Sequence, residues 1–347
     1  MRNEYFHRVN RMTPTKFWIN NPSREEARKA IDQGACGCTN NPSYGYKMFV
    51  HPEEQEVALE RLKEAVRESS NDDEAAAIYQ RKMVKPIQEI FLPIWEQSNG
   101  KDGYVSIQGD PIHEDDPQVI IHEARENRKL GPNIAIKIPT TKAGLAAMET
   151  LMNENTPINA TEIMSVQQGI DLCETYEKVS KKTGHYPPIW LSFIAGIYDQ
   201  YLETWVKEHN VDIEGDVVRQ AGLAATRKMY QIIHDRSYKP IIIGGGARHV
   251  RHFTEMVGGD QVVTINWKGT ADVLIEQDPD VVYRFQNPVP PHVIDELLIK
   301  LNEFRRGWEI GGLDVEEYEE FGPVELFRSM FLSSWHKMLD KIRELRG

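Results

Sequence analysis

Short apolar runs alternate with helical patterns along most of the chain. The runs Lys16–Asn20, Ala35–Thr39, Tyr104–Gln108, Ile134–Ile138, Ile158–Met164, Ile189–Ile194, Pro240–Gly244 and Val262–Asn266 read as strands. Helical spacing separates most of them, for example over Ser23–Gln33, Leu145–Met152, Ser165–Thr183 and Gly215–Ile233. Apolar strands joined by helices predict parallel pairing, with helices covering the sheet. Eight such units fit a closed α/β barrel better than an open sheet. No Gly-x-Gly-x-x-Gly turn follows the first strand, as a doubly wound dinucleotide fold would require. Two stretches exceed the minimal barrel. Pro52–Gln97 is charged and helical in pattern, and so is the tail from Pro288 to Gly347. Within Val324–Leu345, residues Leu326, Met330, Phe331, Met338, Leu339 and Ile342 recur at helical spacing. This last helix packs on the outside of the barrel or covers its mouth. No Pro/Gly/Ser linker and no repeat divides the chain, so 1–347 is expected to form one domain.

Composition narrows the function. Acidic residues outnumber basic ones, 53 to 41, for a net charge of -12. With no dense Lys/Arg patch, nucleic acid is not an expected partner. No stretch approaches the roughly 18 apolar residues of a membrane span, and the N-terminus has no apolar signal core. The expectation is a soluble, cytoplasmic protein with no membrane partner. Of the three cysteines, Cys36 and Cys38 lie two apart. They read as small core residues rather than a disulfide or metal framework.

The chemistry centres on Lys137, which interrupts the apolar run Asn133-Ile134-Ala135-Ile136-Lys137-Ile138-Pro139 near its end. Burial disfavours the ammonium form. A lysine of lowered pKa is a nucleophile toward carbonyls, forming a Schiff base. At the C-terminal end of a barrel strand it stands at the usual position of an active site. The alternative is a lysine that snorkels out of the strand end or pairs with a carboxylate. Other predicted strand ends carry Asn20, Asn21, Thr39, Asn40, Asn41, Gln108, Asp110, Asn159, Thr161, Ser165, Ser192, Arg248 and Asn266. Amides and hydroxyls around a lysine suit sugar hydroxyls and the water of imine chemistry. Any one of them can instead cap a helix, Ser165 and Ser43 most simply. The run Ile243-Gly244-Gly245-Gly246-Ala247-Arg248 suggests an anion nest after the seventh strand, with Arg248 adding a guanidinium. His249 and His252 read as surface residues beside it. The cluster His113, Glu114, Asp115, Asp116 and His122 has no recognisable ligand spacing, so no metal is expected.

Several segments resemble the transaldolase family in order and spacing. They are Phe17-Trp18-Ile19-Asn20-Asn21-Pro22-Ser23, Gly37-Cys38-Thr39-Asn40-Asn41-Pro42-Ser43, Val105-Ser106-Ile107-Gln108-Gly109-Asp110 and Ile136-Lys137-Ile138-Pro139-Thr140. Asn159-Ala160-Thr161 with Ser165, Ser192-Phe193 with Asp199, and Ala247-Arg248 continue it over about 14–275. The resemblance implies a class I (β/α)8 TIM barrel with extra helices, the helical extension of about 288–347 bringing a C-terminal helix near the mouth. It implies transfer of a dihydroxyacetone unit between sugar phosphates, in carbohydrate metabolism such as the pentose phosphate pathway, without cofactor or metal. A homodimer is among the assemblies it implies. Carried over, Lys137 forms the Schiff base, Thr161 helps hold the catalytic water, and Asn41 and Asn159 hold substrate hydroxyls. Ser192 and Arg248 bind the phosphate end.

Three departures qualify this. The family's aspartate falls on Asn20, its glutamate on Gln108, and its first phosphate-binding arginine on Ile197. Gln108 resembles the pattern of fructose-6-phosphate aldolases instead. The expected activity is that of a transaldolase-like class I aldolase with a non-standard substrate, or a lyase rather than a transferase. Asp110 or Tyr198 is the candidate to supply the missing proton function. Two other classes stay open: a catalytically weak barrel that binds a sugar phosphate, and a metal-dependent hydrolase built on His113.

Overall fold

The computed structural model of the chain describes residues 4–347. Eight parallel strands close into a barrel in sequence order: β1 (Lys16–Asn20), β2 (Gly37–Asn40), β3 (Tyr104–Gln108), β4 (Ile134–Pro139), β5 (Ile158–Ile163), β6 (Ile189–Phe193), β7 (Ile241–Gly244) and β8 (Val262–Ile265). Pairing of β1 with β8, Lys16 beside Val262, completes the circle. The fold is thus the (β/α)8 barrel expected from the alternating pattern, with strand limits displaced by no more than two residues.

Helices surround the sheet. Before and between the first strands come α1 (Tyr5–Met12), α2 (Arg24–Asp32), α3 (Tyr44–Phe49), α4 (Gln55–Glu68) and α5 (Asp72–Gln97). The middle of the chain gives α6 (Pro117–Arg128), α7 (Lys142–Asn153), α8 (Val166–Thr183), α9 (Ala195–Glu208), α10 (Gly215–Val218) and α11 (Ala221–Asp235). The remainder gives α12 (Arg251–Thr254), α13 (Asp272–Gln277), α14 (Pro291–Lys300), α15 (Asn302–Trp308) and α16 (Gly322–Arg346). The charged insert after β2 is α4 and α5. The continuous helix expected over Gly215–Ile233 is two helices, because the first stops at Val218. Among the described residues, no helix is long and apolar enough to cross a membrane.

Side chains on a strand alternate between faces. Outward residues such as Phe17, Ile107, Ile136 and Leu191 join the main core under the helices. Inward residues Trp18, Tyr104, Ala135, Trp190, Ile243 and Val262 form a separate apolar cluster. Trp190 packs against Trp18 and Tyr104, with ring centroids 5.2 and 4.8 Å apart. These rings fill the lower part of the barrel and make it solid. Two residues further along five of these strands, the inward positions become polar: Asn20, Ser106, Lys137, Ser192 and Thr264. The two-residue period therefore stacks a polar layer on an aromatic floor.

The floor is tight. A Cβ on Gly37 would lie 2.2 Å from the Trp18 ring. Gly37→Ala is expected to destabilise the protein by about 1–3 kcal/mol through overpacking, read as a lower midpoint in denaturant titration.

Candidate active site

A cavity of about 200 Å³ opens at the C-terminal end of the barrel. Asn20, Asn41, Ser43, Lys137, Ser192 and Arg248 line it, and Phe327, Met330 and Phe331 of α16 close it from above. The last helix thus covers the mouth rather than only packing outside. Lys137 is 6% exposed, and its Nζ lies 5.8 Å from the centroid of the Phe331 ring. Burial pulls its pKa down to about 8, while the nearby Glu162 carboxylate partly opposes that shift.

The amides around Lys137 are fixed by one another. Ser192 Oγ donates to Asn159 Oδ1 at 2.7 Å, and Asn159 Nδ2 donates to Ser106 Oγ at 3.1 Å. Asn20 is held on both ends: its Oδ1 accepts from Thr39 Oγ1 at 2.8 Å, and its Nδ2 donates to Asn266 Oδ1 at 2.9 Å. Asn41 Oδ1 accepts from Asn21 Nδ2 and from the Ser43 amide. That leaves Asn41 with N–H groups to offer at the cavity. Ser43 sits at the start of α3 but makes no side-chain cap. Gln108 is level with Lys137 on the neighbouring strand, and Thr161 is level with Pro139.

Other predicted residues lie elsewhere. Ser165 is buried as the N-cap of α8, in a capping box with Gln168, and does not line the cavity. The Asp110 carboxylate accepts from the Ile112 amide at 2.7 Å and pairs with His113 at 2.6 Å. It lines one cavity with His113 and Glu123, and a second, small one with Gln108 and Lys137. The Tyr198 hydroxyl donates to the carbonyls of Glu303 and Phe304, beyond reach of the mouth. Asp110 therefore stands near Lys137 but is already paired with His113, and the Tyr198 hydroxyl is spent on backbone carbonyls. Among the described residues, no group of three His, Cys, Asp or Glu side chains is placed to hold a metal ion.

The glycine loop after β7 keeps part of the expected nest. Gly245 N–H donates to Phe193 O, and the amides of Arg248 and His249 donate to His252 Nδ1, while Gly246 and Ala247 line the cavity. His252 is buried, not a surface residue, and its Nε2 meets Asp199 Oδ2 at 3.1 Å. With Nδ1 accepting two amides, the Nε2–H must donate to Asp199. Asp199 also accepts from the Gly222 amide and pairs with Arg251. This network sets the backbone that carries Arg248. The Arg248 guanidinium is at the rim, bonded to Gln200 Oε1 at 2.7 Å.

Glu162 lies beside this constellation and was not anticipated. Alternation along β5 would send it outward with Ala160. Instead the β5–β6 register shifts between Ala160 and Ile163, and Glu162 has φ +60. Its Oε1 accepts from Gln108 Nε2 at 2.9 Å. Burial raises its pKa to about 7, against the hydrogen bond from Gln108 and the charge of Lys137. The available signal was a charged residue inside a run otherwise buried on both faces, which must find a partner.

A lysine-bearing barrel with amides and hydroxyls at its C-terminal mouth is the architecture of an aldolase-type enzyme. The comparisons sharpen that class. The chain belongs to the transaldolase/fructose-6-phosphate aldolase family, whose pattern matches residues 17–288. It is 27% identical over 370 aligned positions to the transaldolase of Mycobacterium leprae (strain Br4923), covering 94% of this chain and 93% of that protein. It is 29% identical to the transaldolase of Mycobacterium bovis (strain BCG / Pasteur 1173P2) over 61% of this chain and 60% of that one. Transaldolase 2 of Nostoc sp. (strain PCC 7120) is 33% identical over 46% and 43%. The protein is a transaldolase-like enzyme.

Arg328 of α16 pairs with Glu114 at 2.9 Å and with Glu319, and Glu114 is nearly inaccessible. Burial holds the Glu114 carboxyl well above its ordinary value, the Glu162 charge adds to this, and Arg328 opposes it. Arg328→Met removes that opposition and raises it further. A carboxyl raised on folding stabilises fully below its unfolded value of about 4.3 and loses that contribution as pH rises. The deficit of Arg328→Met against wild type is therefore expected to be small near pH 4. It should grow to about 3 kcal/mol at pH 8, measured by urea unfolding across pH.

Proposed function

We propose that this enzyme is a class I aldolase of transaldolase type, in which Lys137 forms a Schiff base with the carbonyl of a ketose. A buried amine of lowered pKa, in a cavity lined by amides and hydroxyls, is the observation that carries this reading. Asn41 and Asn159 bind the hydroxyls of a dihydroxyacetone unit, Ser192 orients Asn159, and Thr161 holds the water of imine formation. Arg248 at the rim receives the phosphate end. Ile197, buried where the family carries an arginine, makes no ion pair there. Anion recognition therefore rests on one guanidinium. Gln108 in place of a glutamate favours, as the second reading, release of the three-carbon unit to water over transfer to an aldose. A cytoplasmic place in carbohydrate metabolism goes with either.

Borohydride reduction with dihydroxyacetone is expected to add one three-carbon unit to the wild-type protein and none to Lys137→Ala, read by intact mass. The neutral amine is the nucleophile. Its initial rate of adduct formation should therefore rise with pH toward a midpoint near 8. A wild-type protein that gave no adduct with dihydroxyacetone or fructose 6-phosphate would favour a binding role instead. Arg248→Ala is expected to weaken adduct formation with fructose 6-phosphate about 10–100-fold, one charged hydrogen-bonding group being worth about 1.5–3 kcal/mol. The adduct with uncharged dihydroxyacetone should be unaffected, and parallel concentration series check both.

A further inference from the structure

We propose that Glu162 is the acid–base group of this site, taking the proton that Lys137 must lose to attack a carbonyl and returning it to the hydroxyl that leaves as water. The proposal rests on the Lys137 imine reading above.

The backbone is the first argument. Glu162 occupies a left-handed conformation inside a bulge, which costs of the order of 1–3 kcal/mol and persists only where its surroundings enforce it. The result is a carboxylate turned to Gln108, on the same interior side as Lys137. The second argument is hydrogen bonding. Gln108 holds only Oε1 of Glu162; among the described residues Oε2 has no partner, and neither does Gln108 Oε1 nor Thr161 Oγ1. Three unpaired polar atoms on bonded or adjacent buried residues are unfavourable for a purely structural element. They form an acceptor-rich cluster that a water molecule or a carbinolamine hydroxyl satisfies.

The third argument is chemical need. None of the residues lining the open Lys137 cavity carries a carboxylate. A small second cavity that Lys137 also lines has Asp110, Glu114 and Glu123, but Glu114 is paired with Arg328 and Glu123 accepts from the Asp110 amide. Asn20 and Gln108, where related enzymes carry acids, are amides and cannot accept the proton. Asp110 is committed to His113 and the Ile112 amide. The charges that act on Glu162 are Lys137 and Arg328, which favour its ionised form, and Glu319, which opposes it; Glu114 is also coupled to it. Burial moves Glu162 up and Lys137 down, so their proton affinities approach each other. Transfer between them is then close to balanced, as efficient proton transfer requires.

The step balances as follows. Lys137 ammonium gives one proton to the Glu162 carboxylate. The free amine adds to the ketone carbonyl, and a proton passes from nitrogen to oxygen to give a neutral carbinolamine. Glu162 then protonates the hydroxyl, the C–O bond breaks, water leaves, and a protonated imine remains beside a carboxylate. One ammonium and one ketone become one iminium and one water, with Glu162 restored.

The test is time-resolved borohydride trapping of the full chain with dihydroxyacetone, from pH 6 to 9, read by intact mass. Glu162→Gln is expected to reach the wild-type extent of adduct about 100-fold more slowly. Its pH midpoint should lie below that of wild type, because the carboxylate that favours the Lys137 ammonium is gone. Glu162→Asp should recover part of the rate, and Glu162→Ala should regain rate in proportion to added formate. Trapping by Glu162→Gln at the wild-type rate would overturn the proposal. So would a slow variant with an unchanged pH profile, or a loss that neither Asp nor formate restores. A wild-type protein that traps nothing, while folded, overturns the Lys137 reading and this one with it. Wild-type trapping matched by Glu162→Gln overturns only this one.

Discussion

A closed parallel barrel leaves its interior no access to bulk water except at the ends, and this protein places an amine near one of them. Taking an ammonium out of water is costly. The aromatic floor of Trp18, Tyr104 and Trp190 excludes water from below, and Phe327, Met330 and Phe331 restrict it from above. The energetic answer is a second buried ion of opposite sign. Glu162 alone would be disfavoured as a carboxylate, and Lys137 alone as an ammonium. Together each lowers the cost of the other, and the bulge in β5 is the backbone device that permits it. Each group's charge favours the ionised form of the other, so the protonation of one depends on that of the other.

The outer end of the cavity is governed by close backbone approach rather than charge. A Cβ on Gly196 would lie 2.1 Å from the Gly246 carbonyl oxygen, and one on Gly246 would lie 2.6 Å from Ile194 Cγ2. Gly246 also has φ +68, a conformation that suits glycine. The start of α9 and the loop after β7 can therefore touch. Asp199 and His252 then fix the loop through the amides of Arg248 and His249. Ile197 belongs to this packed junction, where its side chain contributes contact but no counter-ion. The guanidinium of Arg248 has two neutral side-chain partners, Gln200 Oε1 and Met330 Sδ, and among the described residues no carboxylate pairs with it.

The barrel was legible because each strand is an apolar run and each crossover a helical one. The same two-residue period that puts Trp18 on the floor puts Asn20 above it, so much of the polar layer follows from the strands. Legibility ended where structure depends on contacts remote in sequence. His252 reads as a surface residue because its carboxylate, Asp199, lies 53 positions away on α9. Asp110 reads as free from its place at a strand end, whereas His113 three residues on pairs with it. Ser165 has the spacing of a cap and a site residue alike, and only Gln168 in place shows which use its hydroxyl serves. Glu162 was hidden for a different reason. A bulge reverses the alternation on which every inward or outward assignment rests, and a single sequence carries no sign of that register shift.

The last helix ties these features together. One face of α16 lays Phe327 and Phe331 over the mouth, and Arg328 from the same turns enters the acidic cluster of Glu114 and Glu319. The apolar face strengthens the penalty on the Lys137 ammonium, whereas the guanidinium favours the Glu162 carboxylate. The same helix thus acts on both groups, pushing each toward lower proton affinity. Cover and charge are set by residues spaced along one helix, whose sequence pattern reveals the apolar stripe but not the arginine's partners.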